Sequence, residues 1–232
     1  MKNDQHYLLH QINDSQFPVG SYAHSFGLET YIQAELIQDD EAVFQYIKSN
    51  LMNSVLYNEV LAISQAYDAA EQEKIEDCLR LEKKIRALRP QKEIREAYEK
   101  IGSRFVKTID KMQITADLSG FHSYVDECGM QGLASTYSVA YGVLCANLQI
   151  EKEEALQGFL FSNTLNSVIN CVKAVPISQL SGQKIMVQCY PVFDEMIEKC
   201  LSLSEDDLGK ASPGFEIRSM QHENLYSRLY MS

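Results

Sequence analysis

Residues 91–109 read QKEIREAYEKIGSRFVKTI. The apolar and aromatic side chains of this stretch recur every three or four positions, at Ile94, Tyr98, Ile101, Phe105 and Ile109. That spacing places them along one face of an α-helix, and charged residues occupy most of the positions between them. The stretch therefore predicts an amphipathic helix with one buried face.

Helical periodicity continues in both directions along the chain, and alternation typical of strands is absent. The pattern predicts an all-α protein, a single-domain bundle of about ten helices. The other predicted helices are residues 4–13, 21–35, 39–67 (capped by Asp39 and Asp40, with a break near Asn53), 74–88, 119–128, 134–147, 151–174 and 182–201, the last bent or broken at Pro191.

Composition and charge limit the classes of function. The 232 residues are 45% hydrophobic, enough for a substantial core, and carry a formal net charge of -11. A negative chain is a poor match for nucleic acid or for anionic membrane surfaces. No apolar run approaches the ~20 residues of a membrane span, and the first residues lack the order of a signal peptide. We therefore expect a cytoplasmic protein that binds neither nucleic acid nor membrane.

The cysteines show no C-x-x-C spacing, so the sequence supports neither a zinc ribbon nor a thioredoxin-type site. In a cytoplasmic protein we expect free thiols. The six are Cys78, Cys128, Cys145, Cys171, Cys189 and Cys200.

Residues 14–29, the opening motif, read DSQFPVGSYAHSFGLE. A helix built only for packing does not need this mixture of proline, glycine, serine, histidine and acids. The Pro-Val-Gly step at residues 18–20 fixes a turn, and Ser21 is placed to cap a following helix. Gly27 allows another backbone to approach closely. The motif is therefore a candidate functional segment.

Metal binding and catalysis have weak support in the residues themselves. His6 and His10 share one helix face, but no acidic residue completes a metalloprotease-type site and no His-rich tract exists. His24 lies near three serines, but the sequence has no nucleophile elbow. We therefore expect His24 to be a hydrogen-bonded histidine that fixes its helix against a neighbour. Glu29 is either the partner of such a neighbour or solvated. A Walker phosphate-binding loop is absent.

The C-terminal tail, residues 215–231, follows a polar and acidic stretch at 204–213. It is rich in Tyr, Met and Arg, the types enriched at the centres of protein interfaces. A hydrophobic terminal segment after an acidic linker docks either on its own domain or on a partner. We accordingly divide the chain into a helical core, residues 1–203, and a linker with a docking tail, residues 204–232.

Three segments together resemble the urease accessory protein F family (UreF). They are the opening motif, residues 170–183 (NCVKAVPISQLSGQ) and residues 216–232 (EIRSMQHENLYSRLYMS). The resemblance spans nearly the whole chain in the right order. Two departures are Lys173, where the family more often has arginine, and Ser178, where glycine is usual; lysine keeps the charge but not the bidentate fork.

The resemblance implies a non-enzymatic scaffold in urease maturation. Such a protein would dimerise, bind urease accessory protein D or H, and recruit the nickel-carrying GTPase, accessory protein G. The complex would assist GTP-dependent nickel insertion into apo-urease, with no tightly bound cofactor and nickel only in transit. Two alternatives stay open: a metallochaperone that itself carries nickel, and an all-α hydrolase or lyase that uses His24 and Glu29.

The resemblance also implies three partner-binding surfaces. The first comprises Pro18, Gly20, Ser21, Tyr22, His24, Ser25, Gly27 and Glu29. The second, for protein D/H or for docking of the tail, comprises His222, Glu223, Tyr226, Arg228 and Leu229. The third, facing the GTPase or forming a path for the ion, comprises Lys173, Pro176, Gln179 and Gln183. We expect Arg228 to hydrogen-bond back to the opening motif, at Tyr22.

Overall fold

Helices form the regular structure of the protein in a computed structural model that describes residues 2–20, 24–210, 212–226 and 228–231. These residues contain no strand, and the predicted all-α, single-domain architecture is confirmed. The α-helices are α1 (Lys2–Ile12), α2 (Leu28–Gln33), α3 (Asp40–Asn50), α4 (Leu61–Glu71), α5 (Ile75–Ala87), α6 (Lys92–Lys111), α7 (Ser119–Met130), α8 (Tyr137–Asn147), α9 (Lys152–Ala174), α10 (Gln179–Ser202) and α11 (Pro213–His222). A π-helix (Leu51–Val60) joins α3 to α4, and a 3-10 helix (Glu205–Asp207) follows α10.

The centre of the fold is the close packing of α8 against α4. Every residue of α8 from Ser138 to Cys145 is buried, so this helix is surrounded by protein. Gly142 makes the approach possible, because a Cβ atom there would lie 2.5 Å from the carbonyl oxygen of Ile63 in α4. Helices α6, α7 and α9 pack around this pair.

The predicted amphipathic helix is present as α6. Ile101, Phe105 and Ile109 are buried in the core, as their spacing indicates. All six cysteines are buried free thiols, which confirms that expectation. No helix in the described part of the chain is long and apolar enough to cross a membrane.

The stretch from Asp40 to Glu71 confirms the predicted cap and corrects the predicted break. The Asp39 side chain accepts a hydrogen bond from the backbone N–H of Ala42, at 2.8 Å. No break occurs near Asn53; the chain instead winds as a π-helix between α3 and α4. The Asn53 amide donates to the carbonyl oxygen of Ser49, at 2.9 Å, so the polar residue joins the helix rather than ending it.

Two other helix predictions need correction. The helix predicted from residue 21 begins only at Leu28, because Phe26 and Gly27 have positive φ angles of 51° and 89°. Gly27 thus holds the N-cap position expected for Ser21, and Ser21 and Tyr22 lie outside the described residues. Helix α10 is not broken at Pro191. Since Pro191 and Val187 are both exposed, water can reach the Val187 carbonyl that lacks its usual helical donor.

The C-terminal segment lies on the helical core. The 3-10 helix is fastened to α5 by Arg80, whose guanidinium pairs with the Glu205 carboxylate, and by Lys84, whose ammonium donates to the Glu205 carbonyl oxygen at 2.7 Å. Helix α11 then packs against α2 and α6. This contact brings the tail to the opening motif.

Candidate functional site

The tail meets the opening motif at His222, the last residue of α11, which is fully buried. Its Nε2 lies 3.0 Å from Oε2 of Glu29 in α2, and its Nδ1 lies 2.8 Å from Oε2 of Glu93 in α6. A carboxylate oxygen accepts hydrogen bonds, and a ring nitrogen of histidine that carries a proton donates one. The geometry therefore holds the imidazole of His222 between two carboxyl groups.

Glu29 also fixes the last residues of the tail. Its Oε1 accepts from the backbone N–H of Leu229, at 2.7 Å, and its Oε2 accepts from that of Tyr230, at 3.1 Å. Glu29 is 5% exposed, so it is not a solvated acid. Its histidine partner is His222 on a distant helix rather than a neighbour in the motif. One buried carboxylate thus binds both α11 and the chain beyond it.

Arg228 of the tail is held by α6. Its Nη1 donates to Oε1 of Glu93, at 2.8 Å, while the other oxygen of that carboxylate faces His222. The bond predicted from Arg228 to the opening motif at Tyr22 lies outside the described residues and stays a prediction. Glu93 is the second carboxylate of the site, and nothing in the sequence singled it out.

The backbone of α11 lies directly on Gly27. A Cβ atom at Gly27 would come within 3.2 Å of the Ser219 Cα and 2.7 Å of its Oγ. The Thr30 hydroxyl donates to the carbonyl oxygen of Arg218, at 2.9 Å. The close approach of another backbone predicted at Gly27 is therefore present, and the backbone is that of the tail.

Asp14, Gln16 and Pro18 of the opening motif are exposed, whereas Phe17, Val19, Gly20, His24 and Ser25 are buried. The buried Gly20 has a φ of 80°, and the Arg104 guanidinium occupies the space that a side chain there would need. His24 and Ser25 are buried, and the Asn170 amide of α9 donates to the His24 carbonyl oxygen at 3.0 Å. Burial lowers the pKa of His24, assisted by the positive charges of Lys100 and Arg104.

A cavity of about 110 Å³, lined by both polar and apolar side chains, adjoins the motif. Glu59 and Arg89 form a buried ion pair at its wall, with Nη2 of Arg89 at 2.8 Å from Oε1 of Glu59. The Arg89 guanidinium also stacks 3.6 Å from the centre of the Tyr98 ring. Burial raises the pKa of Glu59, although Arg89 opposes the shift. The asparagines that line the cavity are Asn50, Asn58, Asn163, Asn166 and Asn170.

The third predicted surface lies at the α9–α10 connection. Lys173, Pro176, Gln179 and Gln183 are all exposed. A crevice of about 200 Å³ lined by Glu29, Ala174, Arg228 and Leu229 puts the end of α9 beside the tail. The described parts of the three predicted surfaces therefore adjoin one another.

The outer side of the tail is exposed and largely apolar. Tyr226 is completely exposed and Leu229 is 76% exposed, even though the Leu229 backbone is held by Glu29. Glu223 is also exposed. The buried residues of the tail, Ser219 and His222, are polar, and Phe215 packs against Tyr31 and Tyr46, whereas Tyr226 and Leu229 offer hydrophobic area outward.

The described residues contain no group of three or more His, Cys, Asp or Glu side chains placed to hold a metal ion. At the centre of the site the two nitrogens of His222 point to different carboxylates, so Glu29, His222 and Glu93 do not converge on one ion. Glu29 is occupied by His222 and by the tail backbone, which separates it from any acid–base role with His24.

Fold and site together define an all-α protein whose distinctive feature is a docked tail that presents apolar side chains outward. The family model for UreF matches residues 37–190. Over 224 residues, 97% of each chain, the sequence is 34% identical to "Urease accessory protein UreF" of Bacillus sp. (strain TB-90). The chain belongs to the UreF family of urease accessory proteins.

Proposed function

We propose that this protein is a non-enzymatic scaffold for urease maturation. It binds urease accessory protein D/H, and the pair recruits the nickel-carrying GTPase, accessory protein G. The complex assists GTP-dependent insertion of nickel into apo-urease, and this protein acts as a cytoplasmic homodimer within it. Membership of the UreF family supports the general role in urease maturation.

The single observation that carries the scaffold role is the exposed apolar side of the tail. Tyr226, Leu229 and Met231 are 106%, 76% and 61% exposed. Large apolar side chains on a backbone that is already fixed offer binding area without a large ordering cost. We assign this tail surface to protein D/H.

The α9–α10 surface is assigned to the GTPase. Leu180 and Val187 of α10 are 66% and 58% exposed, next to Gln179 and Gln183. The cavity beside His24 is a candidate passage for the ion, because amide and carboxylate oxygens are suitable transient ligands for a cation. Energy for the transfer comes from the partner's nucleotide, and this protein contributes positioning and differential binding.

The test is size-exclusion chromatography with light scattering on the chain co-expressed with a D/H-type accessory protein. The GTPase, nickel and a GTP analogue are then added. We expect a two-protein complex followed by a three-protein complex. The double variant Tyr226→Ser/Leu229→Ser should lose the first complex and keep the melting temperature of the free chain.

Met130→Ser is the matched control, because Met130 is 73% exposed on α7, away from the three surfaces. It should assemble like the unaltered chain. If the tail variant binds protein D/H with unchanged affinity, the tail is not part of that interface. A chain that runs alone at every step would contradict the scaffold role.

A further inference from the structure

Two exposed imidazoles of α1 face each other outside the three partner-binding surfaces. Nε2 of His6 lies 3.1 Å from Nε2 of His10, one helical turn along. The ring planes are nearly perpendicular, at 88°, with centroids 4.4 Å apart. One N–H···N hydrogen bond explains this contact only when one nitrogen carries a proton and the other does not. Between water-exposed groups such a bond contributes little.

The separation of the two nitrogens also suits a shared metal ion. Two ligands at about 2.1 Å from a metal, meeting at about 90°, lie about 3.0 Å apart, whereas a tetrahedral angle separates them by about 3.4 Å. The observed 3.1 Å is close to the right-angled arrangement. Right-angled ligand pairs are typical of tetragonal Cu²⁺ and of six-coordinate or square-planar Ni²⁺.

We propose that His6 and His10 form a surface chelate for a divalent first-row transition-metal ion, with Cu²⁺ and Ni²⁺ bound in preference to Zn²⁺. Neutral imidazole is a suitable ligand for both ions. The remaining coordination positions are open to water, because the described residues supply no third ligand of the usual types. The site is therefore exchangeable, unlike a structural metal centre.

The helix is held so that the pair is organised before an ion arrives. Leu9 and Ile12 are buried in the core. The Gln5 amide donates to the Leu148 carbonyl oxygen at 2.7 Å, and the Asn13 amide donates to the Tyr141 hydroxyl at 2.9 Å. An anchored helix spares the ion most of the ordering cost of chelation.

Local electrostatics favours a cation at this place. His10 lies in the last turn of α1, where the helix dipole presents its negative end. The chain as a whole carries a formal charge of -11. This site goes beyond the proposed scaffold function and does not depend on it, since neither histidine belongs to the three partner-binding surfaces.

The test is isothermal titration calorimetry, which measures the affinity and the number of ions bound per chain. The full chain, free of any affinity tag, is titrated with CuCl₂, NiCl₂ and ZnCl₂ in a buffer that does not bind metals. We expect one Cu²⁺ or Ni²⁺ per chain. His6→Gln and His10→Gln should each weaken binding by at least about tenfold, or about 1.4 kcal/mol, since each variant loses the chelate. Glutamine is a good helix former, so both variants should fold.

His122→Gln is the control, because His122 is an exposed histidine on another helix, α7. It should bind like the unaltered chain. The Cu²⁺-loaded protein should show two equivalent nitrogen couplings in its electron paramagnetic resonance spectrum. Three results would overturn the proposal. They are unchanged affinity in both chelate variants, no binding of Cu²⁺ or Ni²⁺ at millimolar concentration, and tighter binding of Zn²⁺ than of both other ions.

Discussion

The carboxylate of Glu29 binds the imidazole of His222 across 193 residues of sequence, at 3.0 Å between Oε2 and Nε2. Both side chains are buried, and Glu29 in addition accepts two backbone N–H groups of the tail. The contact joins α2 to α11 and fixes the position from which Tyr226 and Leu229 face outward. Glu29 thus holds both α11 and the chain beyond it.

Glu29→Gln should therefore loosen the tail. An amide has one acceptor oxygen where the carboxylate has two, and its NH₂ group faces the tail N–H groups or the His222 ring, so buried donors of the tail lose their acceptor. We expect a loss of about 2–4 kcal/mol in the free energy of unfolding, because each buried donor left without its acceptor costs about 1–3 kcal/mol. Urea unfolding measures it, and trypsin should cleave after Arg228 faster than in the unaltered protein.

Glu223→Gln provides the control for this change. Glu223 is exposed and follows His222 directly, so its loss should alter stability by no more than about 0.5 kcal/mol. Equal stability and equal cleavage rates in Glu29→Gln and Glu223→Gln would show that Glu29 does not hold the tail.

Glu82 makes stability depend on pH near neutrality. It is 2% exposed on α5, and its Oε1 accepts hydrogen bonds from the Tyr124 hydroxyl and from the Thr136 N–H, the latter at 2.9 Å. Burial outweighs these bonds and raises the pKa of Glu82 to about 7 from 4.5. Between these values the folded protein keeps a proton that the unfolded chain has lost. The free energy of unfolding therefore falls as pH rises from 4.5 to 7.

Replacing this acid should remove that pH dependence. A shift from 4.5 to about 7 corresponds to about 3 kcal/mol of stability lost across the range. Glu82→Gln keeps an acceptor for Tyr124 and Thr136 but cannot ionise, so it should be more stable than the unaltered protein at pH 8 and not at pH 4.5. Urea unfolding at several pH values measures the difference; parallel curves for the two proteins would contradict the assignment.

The sequence predicted helices well where a local pattern decides them and poorly where distant contacts do. Phe105 belongs to a periodic stripe, and its burial follows from that stripe. The predicted start of α2 is wrong because the positive φ angles of Phe26 and Gly27 leave no periodic signal in the sequence. Asn53 suggested a break, although a π-helix accommodates it.

The same division applies to the candidate site. The opening motif and the tail stand out by their unusual composition, so both could be named in advance. Glu93 could not, because it is one of several charged residues at the start of an ordinary amphipathic helix. Only the packing of α11 on α6 makes Glu93 a hydrogen-bond partner of His222. No local signal in a single sequence marks such a residue.

Two glycines in neighbouring helices should respond to alanine in opposite directions. At Gly142 a Cβ atom would meet the Ile63 backbone at 2.5 Å, so Gly142→Ala must push α8 away from α4. We expect the free energy of unfolding to fall by about 3 kcal/mol or more, which is the upper end of the range for overpacked cores. At Gly129 no atom lies within 4 Å, and Gly129→Ala should gain about 0.5–1 kcal/mol from helix propensity. Thermal unfolding of both variants tests the pair, and destabilisation of similar size in both would contradict it.

The buried pair of Glu59 and Arg89 predicts a non-additive mutant cycle. Arg89→Met removes the cation and leaves the carboxylate of Glu59, which is 5% exposed, without its charge partner. Such a loss typically costs about 3–5 kcal/mol. Since burial already raises the pKa of Glu59 and Arg89 opposes that shift, loss of Arg89 should raise the pKa further. The cost should therefore shrink at acid pH, where Glu59 takes up a proton.

The double variant Glu59→Gln/Arg89→Met separates charge from packing. It removes both charges while keeping most of the volume, so it should recover more than half of the stability lost in Arg89→Met at pH 7. What is not recovered measures the stacking of the guanidinium on Tyr98, at 3.6 Å, because methionine cannot reproduce that contact. Urea unfolding of the four proteins at pH 5 and pH 7 gives the coupling energy. Additive losses at both pH values would mean that the two charges stabilise the cavity wall independently, contrary to the geometry of the pair.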